Sequence, residues 1–169
     1  MNSIRPVPKP IRKKRKQKLS DLQKRKNDPM SSYWRNKADS LFKYIMHETW
    51  KREGLHYCFV CASGDYGTNS SCAKVECAHL IPCENYLYRW NPENVMPLGS
   101  YHHKLSRECS PHNAPVQFGV WLTIRYPEKA KFVEQNKQSI TRKVELPWTF
   151  QEKYLELLQL AKELKIEGV

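Results

Sequence analysis

No apolar run in this 169-residue chain approaches the length that crosses a bilayer, which excludes a helical membrane span. The basic N-terminal stretch lacks the apolar segment of a secretory signal, so export is not expected. Six cysteines without such a signal point to a reducing, cytoplasmic setting. There, spaced cysteines more often hold metal than pair as disulfides. The chain has no internal repeats, and it is short of acids. Asp and Glu number 17 against 29 Lys and Arg, for a net charge of +12. Residues 1–30 carry eleven bases against two acids, so +9 of that charge sits there.

The same 30 residues hold four prolines and few large apolar side chains, so they cannot bury a core. They are expected to be a disordered nucleic-acid-binding tail, with Arg12, Lys13, Lys14, Arg15 and Lys16 as its densest phosphate contacts. Residues 15–27 are expected to turn helical on DNA. The remaining chain, 31–169, reads as one domain, with a motif core at about 55–113.

The pattern predicts an α+β fold. Trp34, Ala38, Leu41, Phe42, Ile45, Met46 and Trp50 recur at helical intervals, giving a helix over 32–53 that stops at Gly54. Residues 74–81 and 95–98 read as strands, and 100–108 as a helix ended by Pro111. A helix over 118–126 and one after Pro127 follow. Thr149 and Glu152 form a capping-box pattern for a C-terminal amphipathic helix.

Between these elements lie Cys58-Phe-Val-Cys61, His79, Asn94 and the pair His102-His103. Hydrolysis of a phosphodiester needs a base for water, positive charge on the phosphorane and help for the leaving oxygen. His79, at the end of the first strand, is the expected base. His103, in the first turn of the helix, is the expected ligand of Mg2+ or Mn2+. Asn94 is expected to bond the loop backbone and hold His79, with Asn91 able to share that role.

Adjacent helical residues point about 100° apart, so His102 is assigned to a structural zinc with Cys58 and Cys61. The fourth ligand stays open among Cys109, Cys77, Cys72 and Cys83, with Cys109 carried in the expected set. Seven residues of intact helix rise about 10 Å, so Cys109 reaches the ion only if the helix frays before Pro111. A three-ligand zinc with water in the fourth position is a further alternative.

Over about residues 58–104 these motifs resemble the HNH, or ββα-metal (His-Me finger), nucleases. By that pattern His79 matches the base, Asn94 the loop residue and His103 the helix ligand. A closer resemblance is to the NinG/Rap recombination endonucleases of lambdoid phages. It is carried by the basic N-terminal region, Ser32-Tyr33-Trp34, the C-x-x-C pair, Glu76 three before His79, Arg89-Trp-Asn91-Pro-Glu-Asn94, His103-Lys104 and Asn113. The resemblance implies a small ββα-metal core with a zinc knuckle, packed by flanking helices. It also implies cleavage of branched recombination intermediates in a phage-infected bacterial cytoplasm. Junction cutting by two sites makes a homodimer the expected assembly.

Two positions depart from the family. Ala78 stands where a metal ligand normally precedes the base, and Glu76, on the same strand face, is expected to compensate. Gly99 stands where a second pair would supply a zinc ligand. Arg89, Lys104 and Arg107 are the expected phosphate contacts outside the tail. Tyr86, Tyr88 and Trp90 are available to unstacked bases, although Trp90 is better suited to the core. Two other functions compete. A sequence-reading homing or restriction nuclease would need a base-reading module, and none is legible. A non-catalytic, zinc-stabilised DNA-binding protein fits the substitution at Ala78.

Overall fold

The computed structural model describes residues 20–137 and 146–168. Residues 12–16 of the basic run lie outside them. The fold is α+β, with α1 (Ser32–Arg52), α2 (Phe59–Ser63), β1 (Val75–His79), β2 (Val95–Gly99), α3 (Pro115–Arg125), α4 (Pro127–Asn136) and α5 (Phe150–Glu163). Short 3-10 turns at Ser70–Ala73 and Pro92–Asn94 precede the two strands.

The strands pair antiparallel, with Val75 opposite Gly99 and His79 opposite Val95. Side chains alternate between the faces of this ribbon. Cys77 and Val95 face α1 and α5, in a core that includes Phe42, Ile45, Trp90 and Phe150. Ala78, Met96 and Leu98 face the other way, against Phe59, Val60, Phe118 and Trp121. Every residue of β2 is buried, which explains its unbroken apolar run. Full burial of one such Phe or Ile contributes about 1.5–3 kcal/mol.

Helix α1 matches the expected span, and Ala38, Leu41, Phe42, Ile45, Met46 and Trp50 are its buried face. Gly54 follows its end with φ of 70°, where a side chain would be strained. Helix α5 starts on the expected capping box: the Thr149 N–H donates to Glu152 Oε2 at 2.7 Å, and Glu152 N–H returns to Thr149 Oγ1 at 3.2 Å.

Two expectations are corrected. Residues 20–27 are helical within the span assigned to a disordered tail. They are tied to α1: Ser31 Oγ donates to the Arg25 carbonyl at 2.5 Å and Trp34 Nε1 to that of Lys26 at 3.0 Å. The helix expected over 100–108 is only a wide, π-type turn at Tyr101–Leu105. Ser106 ends it by leaving the helical region. Its Oγ captures the amides of Glu108 and Cys109 at 3.2 and 3.1 Å, which diverts the backbone from a helical ladder.

Candidate metal centre and histidine loop

Cys58 caps α2 and Cys61 lies three residues on, so one helical turn brings both sulfurs to the same side. Gly64, with φ of 76°, ends the turn before it can lead away. The turn at Ser70–Ala73 delivers Cys72. Asn69 Oδ1 accepts from Ser71 N–H at 2.9 Å, and Ser100 Oγ donates to the Ser71 carbonyl at 2.6 Å. These bonds fasten the turn to the end of β2. His102 Nδ1 then lies 3.6, 3.3 and 3.3 Å from the sulfurs of Cys58, Cys61 and Cys72. A tetrahedral zinc, with bonds of about 2.3 Å to sulfur and about 2.0 Å to nitrogen, holds such atoms roughly 3.5 Å apart.

All four donor atoms lie within 4.8 Å of one another, so Cys58, Cys61, Cys72 and His102 can hold a structural metal such as zinc. Without a cation the thiolate forms are disfavoured. Burial pushes the Cys61 thiol up to about 12 and raises that of Cys72. His102 is 1 % exposed, and its Nε2 has no hydrogen-bond partner among the described residues. Binding through Nδ1 leaves the ring proton on that Nε2.

The donor that joins Cys58, Cys61 and His102 is therefore Cys72 rather than Cys109. Cys109 is fully buried beside the knuckle, but it fills the apolar core with Met96 and Leu98. Cys77 faces the α1 side of the sheet, and burial pushes its thiol up to about 12. Cys83 lies half-buried in the loop after β1. Gly99 has a positive reason to be glycine. A Cβ there would stand 2.3 Å from both Cα and Cβ of Cys72, far inside carbon–carbon contact. Gly99 itself offers no ligand, and the space it leaves is the space that Cys72 occupies.

His79 closes β1, and the loop after it folds back over its ring. Its Nε2 donates to the Arg89 carbonyl at 2.8 Å, which leaves the lone pair on Nδ1. Burial lowers its pKa, against a smaller opposing effect of that bond. Asn94 fastens the loop as expected. Its Oδ1 accepts from Ile81 N–H at 2.7 Å, and its Nδ2 donates to the carbonyls of Ile81 and Tyr88 at 3.1 and 3.0 Å. Asn94 is fully buried, and its two bonds to Ile81 are shielded from water. Asn91 serves one step earlier, accepting from Glu93 N–H at 2.8 Å and capping the Pro92–Asn94 turn.

Arg89 does not stand free for phosphate. Its Nε and Nη2 form a fork onto Asp39 at 2.7 and 2.8 Å, and Nη1 donates to the Cys83 carbonyl at 2.7 Å. Trp90 Nε1 reaches the same Asp39 at 2.9 Å. The Arg89 and Asp39 side chains are only 17 % and 22 % exposed. Replacing Arg89 by alanine strands a largely shielded carboxylate and lowers stability by about 2–3 kcal/mol. Urea denaturation measures this; an unchanged midpoint would return Arg89 to the list of DNA contacts.

The aromatics of this loop are also packed. Tyr86 meets Phe150 at 5.2 Å between ring centres, Tyr88 meets Phe132 at 5.6 Å, and Trp90 is buried. A cation missed in the sequence stands nearby. Lys43, exposed on α1, adds a small push in the same direction as burial, the main cause of the lowered His79 pKa. Its place on the α1 stripe's solvent side concealed its nearness to β1.

His102 and His103 do diverge, one into the knuckle and one onto β1. His103 Nδ1 donates to Glu76 Oε2 at 2.6 Å, and Lys104 Nζ reaches the same oxygen at 2.7 Å. Burial pushes the Glu76 carboxyl up, but Lys104 and His103 outweigh it and hold it below the usual range. Lys104 is thus ion-paired, while Arg107 is exposed. Ala78 is fully buried and offers no ligand. Among the described residues, only the Cys3His group brings three or more metal-ligating side chains together. Glu76 and His79 fall on opposite faces of β1, about 10 Å apart along the strand.

Comparison with protein-family models, with curated proteins and with solved structures finds no match to this chain. No helix among the described residues is long and apolar enough to cross a membrane.

Proposed function

We propose that this chain is a metal-dependent endonuclease of the ββα-metal type, acting on branched DNA. The observation that carries the reading is the His79 loop. A histidine at a strand end has its Nε2 proton held by a backbone carbonyl, in a loop pinned by a buried asparagine. That arrangement keeps Nδ1 as a base, and its lowered pKa keeps it neutral near pH 7. Nδ1 takes a proton from water, and the resulting hydroxide attacks phosphorus. One phosphorus–oxygen bond forms while the bond to the leaving oxygen breaks, and that oxygen takes up a proton. A bound Mg2+, Mn2+ or similar cation supplies positive charge for the phosphorane; His103, oriented by Glu76, is the residue to hold it.

The order strand, pinned loop, strand, helical turn supports the HNH assignment, and the Cys3His group supports its zinc knuckle. Phosphate contact by a basic tail carries no sequence information, which favours recognition of DNA shape. Branched DNA and a homodimer belong to this proposal. A second reading, a zinc-stabilised DNA-binding protein without activity, is favoured by the buried Ala78 and by the opposed faces of His79 and Glu76. Matched linear, flap and four-way DNA, each with Mg2+ or Mn2+, separates the two. Cleavage of the branched forms supports the nuclease; binding without cleavage supports the second reading.

The tail is tested separately. Residues 1–19 hold eight Lys or Arg, and their removal spares the 20–27 helix that anchors α1. Loss of these residues is expected to weaken DNA binding and flatten its salt dependence, because fewer counterions are released. An unchanged salt slope in binding titrations would show that the tail does not touch DNA.

A further inference from the structure

The loop after the His103 turn is built to hold one more histidine in place. Ser110 is fully buried, and its Oγ donates to the His103 carbonyl at 2.8 Å. The same oxygen accepts from the amides of His112 and Asn113 at 3.2 and 3.3 Å. Asn113 Nδ2 donates back to the Leu105 carbonyl at 3.1 Å. Residues 110–113 are thereby fastened to the turn that carries His103. The ring of His112 stands 5.0 Å from that of His103, tilted by 55°.

That spacing has a chemical meaning. Two imidazoles sharing one ion at about 90–110°, with metal–nitrogen bonds of about 2.1 Å, stand roughly 4.5–5.2 Å apart between ring centres. The other histidine pair, His47 and His56, has rings 5.1 Å apart but joins them by a hydrogen bond of 2.9 Å between Nδ1 and Nε2. No such bond joins His103 and His112 among the described residues, and the His112 ring is exposed to solvent. On His103, the bond to Glu76 uses Nδ1 and leaves Nε2 as the atom with a lone pair. A carboxylate behind a histidine is the usual outer partner of a metal-bound imidazole.

We propose that His103 and His112 form a two-imidazole site for a divalent transition-metal ion, with Glu76 as the carboxylate that fixes the His103 ring. The site deepens the reading of His103 as a metal ligand and rests on it. It supplies the ligand that Ala78 does not, from a loop outside the strand–turn motif. It recasts Glu76 as a positioning residue. Two neutral imidazoles favour Ni2+, Zn2+ or Co2+ over Mg2+, which prefers oxygen. The remaining positions are open to water or to phosphate oxygens.

The test is Ni2+ titration of the zinc-loaded full chain by calorimetry, with zinc content measured before and after. One Ni2+ per chain is expected without release of zinc. His112→Ala and His112→Asn each weaken Ni2+ binding tenfold or more, and Glu76→Gln weakens it about 10–100-fold. His47→Ala leaves it unchanged. In the wild-type chain, substoichiometric Co2+ broadens the ring resonances of both His103 and His112, a readout independent of any variant's folding. Unchanged Ni2+ affinity in both His112 variants, or a sharp His112 signal with Co2+, overturns the site. Ni2+ bound at the pair with no cleavage of any DNA keeps the site and removes the nuclease reading. Cleavage with the same metal dependence in His112→Ala does the reverse.

Discussion

Cys72→Ser is expected to leave the full chain without zinc, whereas Cys109→Ser is expected to keep one zinc in place. The contrast follows from geometry. Cys72 places its sulfur 3.3 Å from His102 Nδ1, and Cys109 stands outside the group of four converging donors. Binding at a structural zinc site is worth about 10–16 kcal/mol, and much of it is folding free energy. Losing one thiolate of three leaves buried donors with no cation to share. The expected result is zinc content near zero by metal analysis, with a melting temperature lowered by tens of degrees. Gly99→Ala should approach the same state without removing any ligand, because the new methyl displaces Cys72. Zinc retained at full occupancy in Cys72→Ser would mean that the fourth ligand has been misplaced.

If the chain is the proposed nuclease, His79→Ala is expected to lower cleavage about 10²–10⁴-fold, the usual contribution of a positioned base, while leaving binding of branched DNA in place. The pH profile gives a second readout. The base acts when neutral, and burial lowers its pKa below the ordinary 6.5. Cleavage should therefore rise as pH increases through a midpoint below that value and then level off. Equal rates for wild type and His79→Ala would remove His79 from the chemistry. A midpoint well above 6.5 would assign the ionisation to another group.

Most of the element order was legible because periodicity is a local signal. The apolar stripe of α1, the capping box of α5 and Pro127 at the start of α4 are written in consecutive residues. The helix after β2 was read too long because Ser106 diverts the backbone through its own hydroxyl, which an apolar pattern does not record. Arg89 was read as a phosphate contact because its partner, Asp39, lies fifty residues away on α1. Tyr86 and Tyr88 were read as available to bases for the same reason, since Phe150 and Phe132 pack on them from distant helices, whereas Trp90 was read for the core, where it lies.

The sequence by itself determined the chemistry available: a C-x-x-C pair and a histidine for zinc with the fourth ligand open, a histidine after a strand, an asparagine before the next. Spacing also predicted that His102 and His103 would part, since adjacent residues of a helical turn cannot face one way. Only the tertiary structure decided which donors meet. Cys72 joins the knuckle because the Ser70–Ala73 turn is fastened to the end of β2, where Gly99 leaves room. His112 comes over His103 because Ser110 bonds back across the turn. Glu76 and His79 are parted by the alternation of a strand. Ligand sets and ion pairs close over long sequence separations, and their partners are set by packing and hydrogen bonds that no local pattern contains.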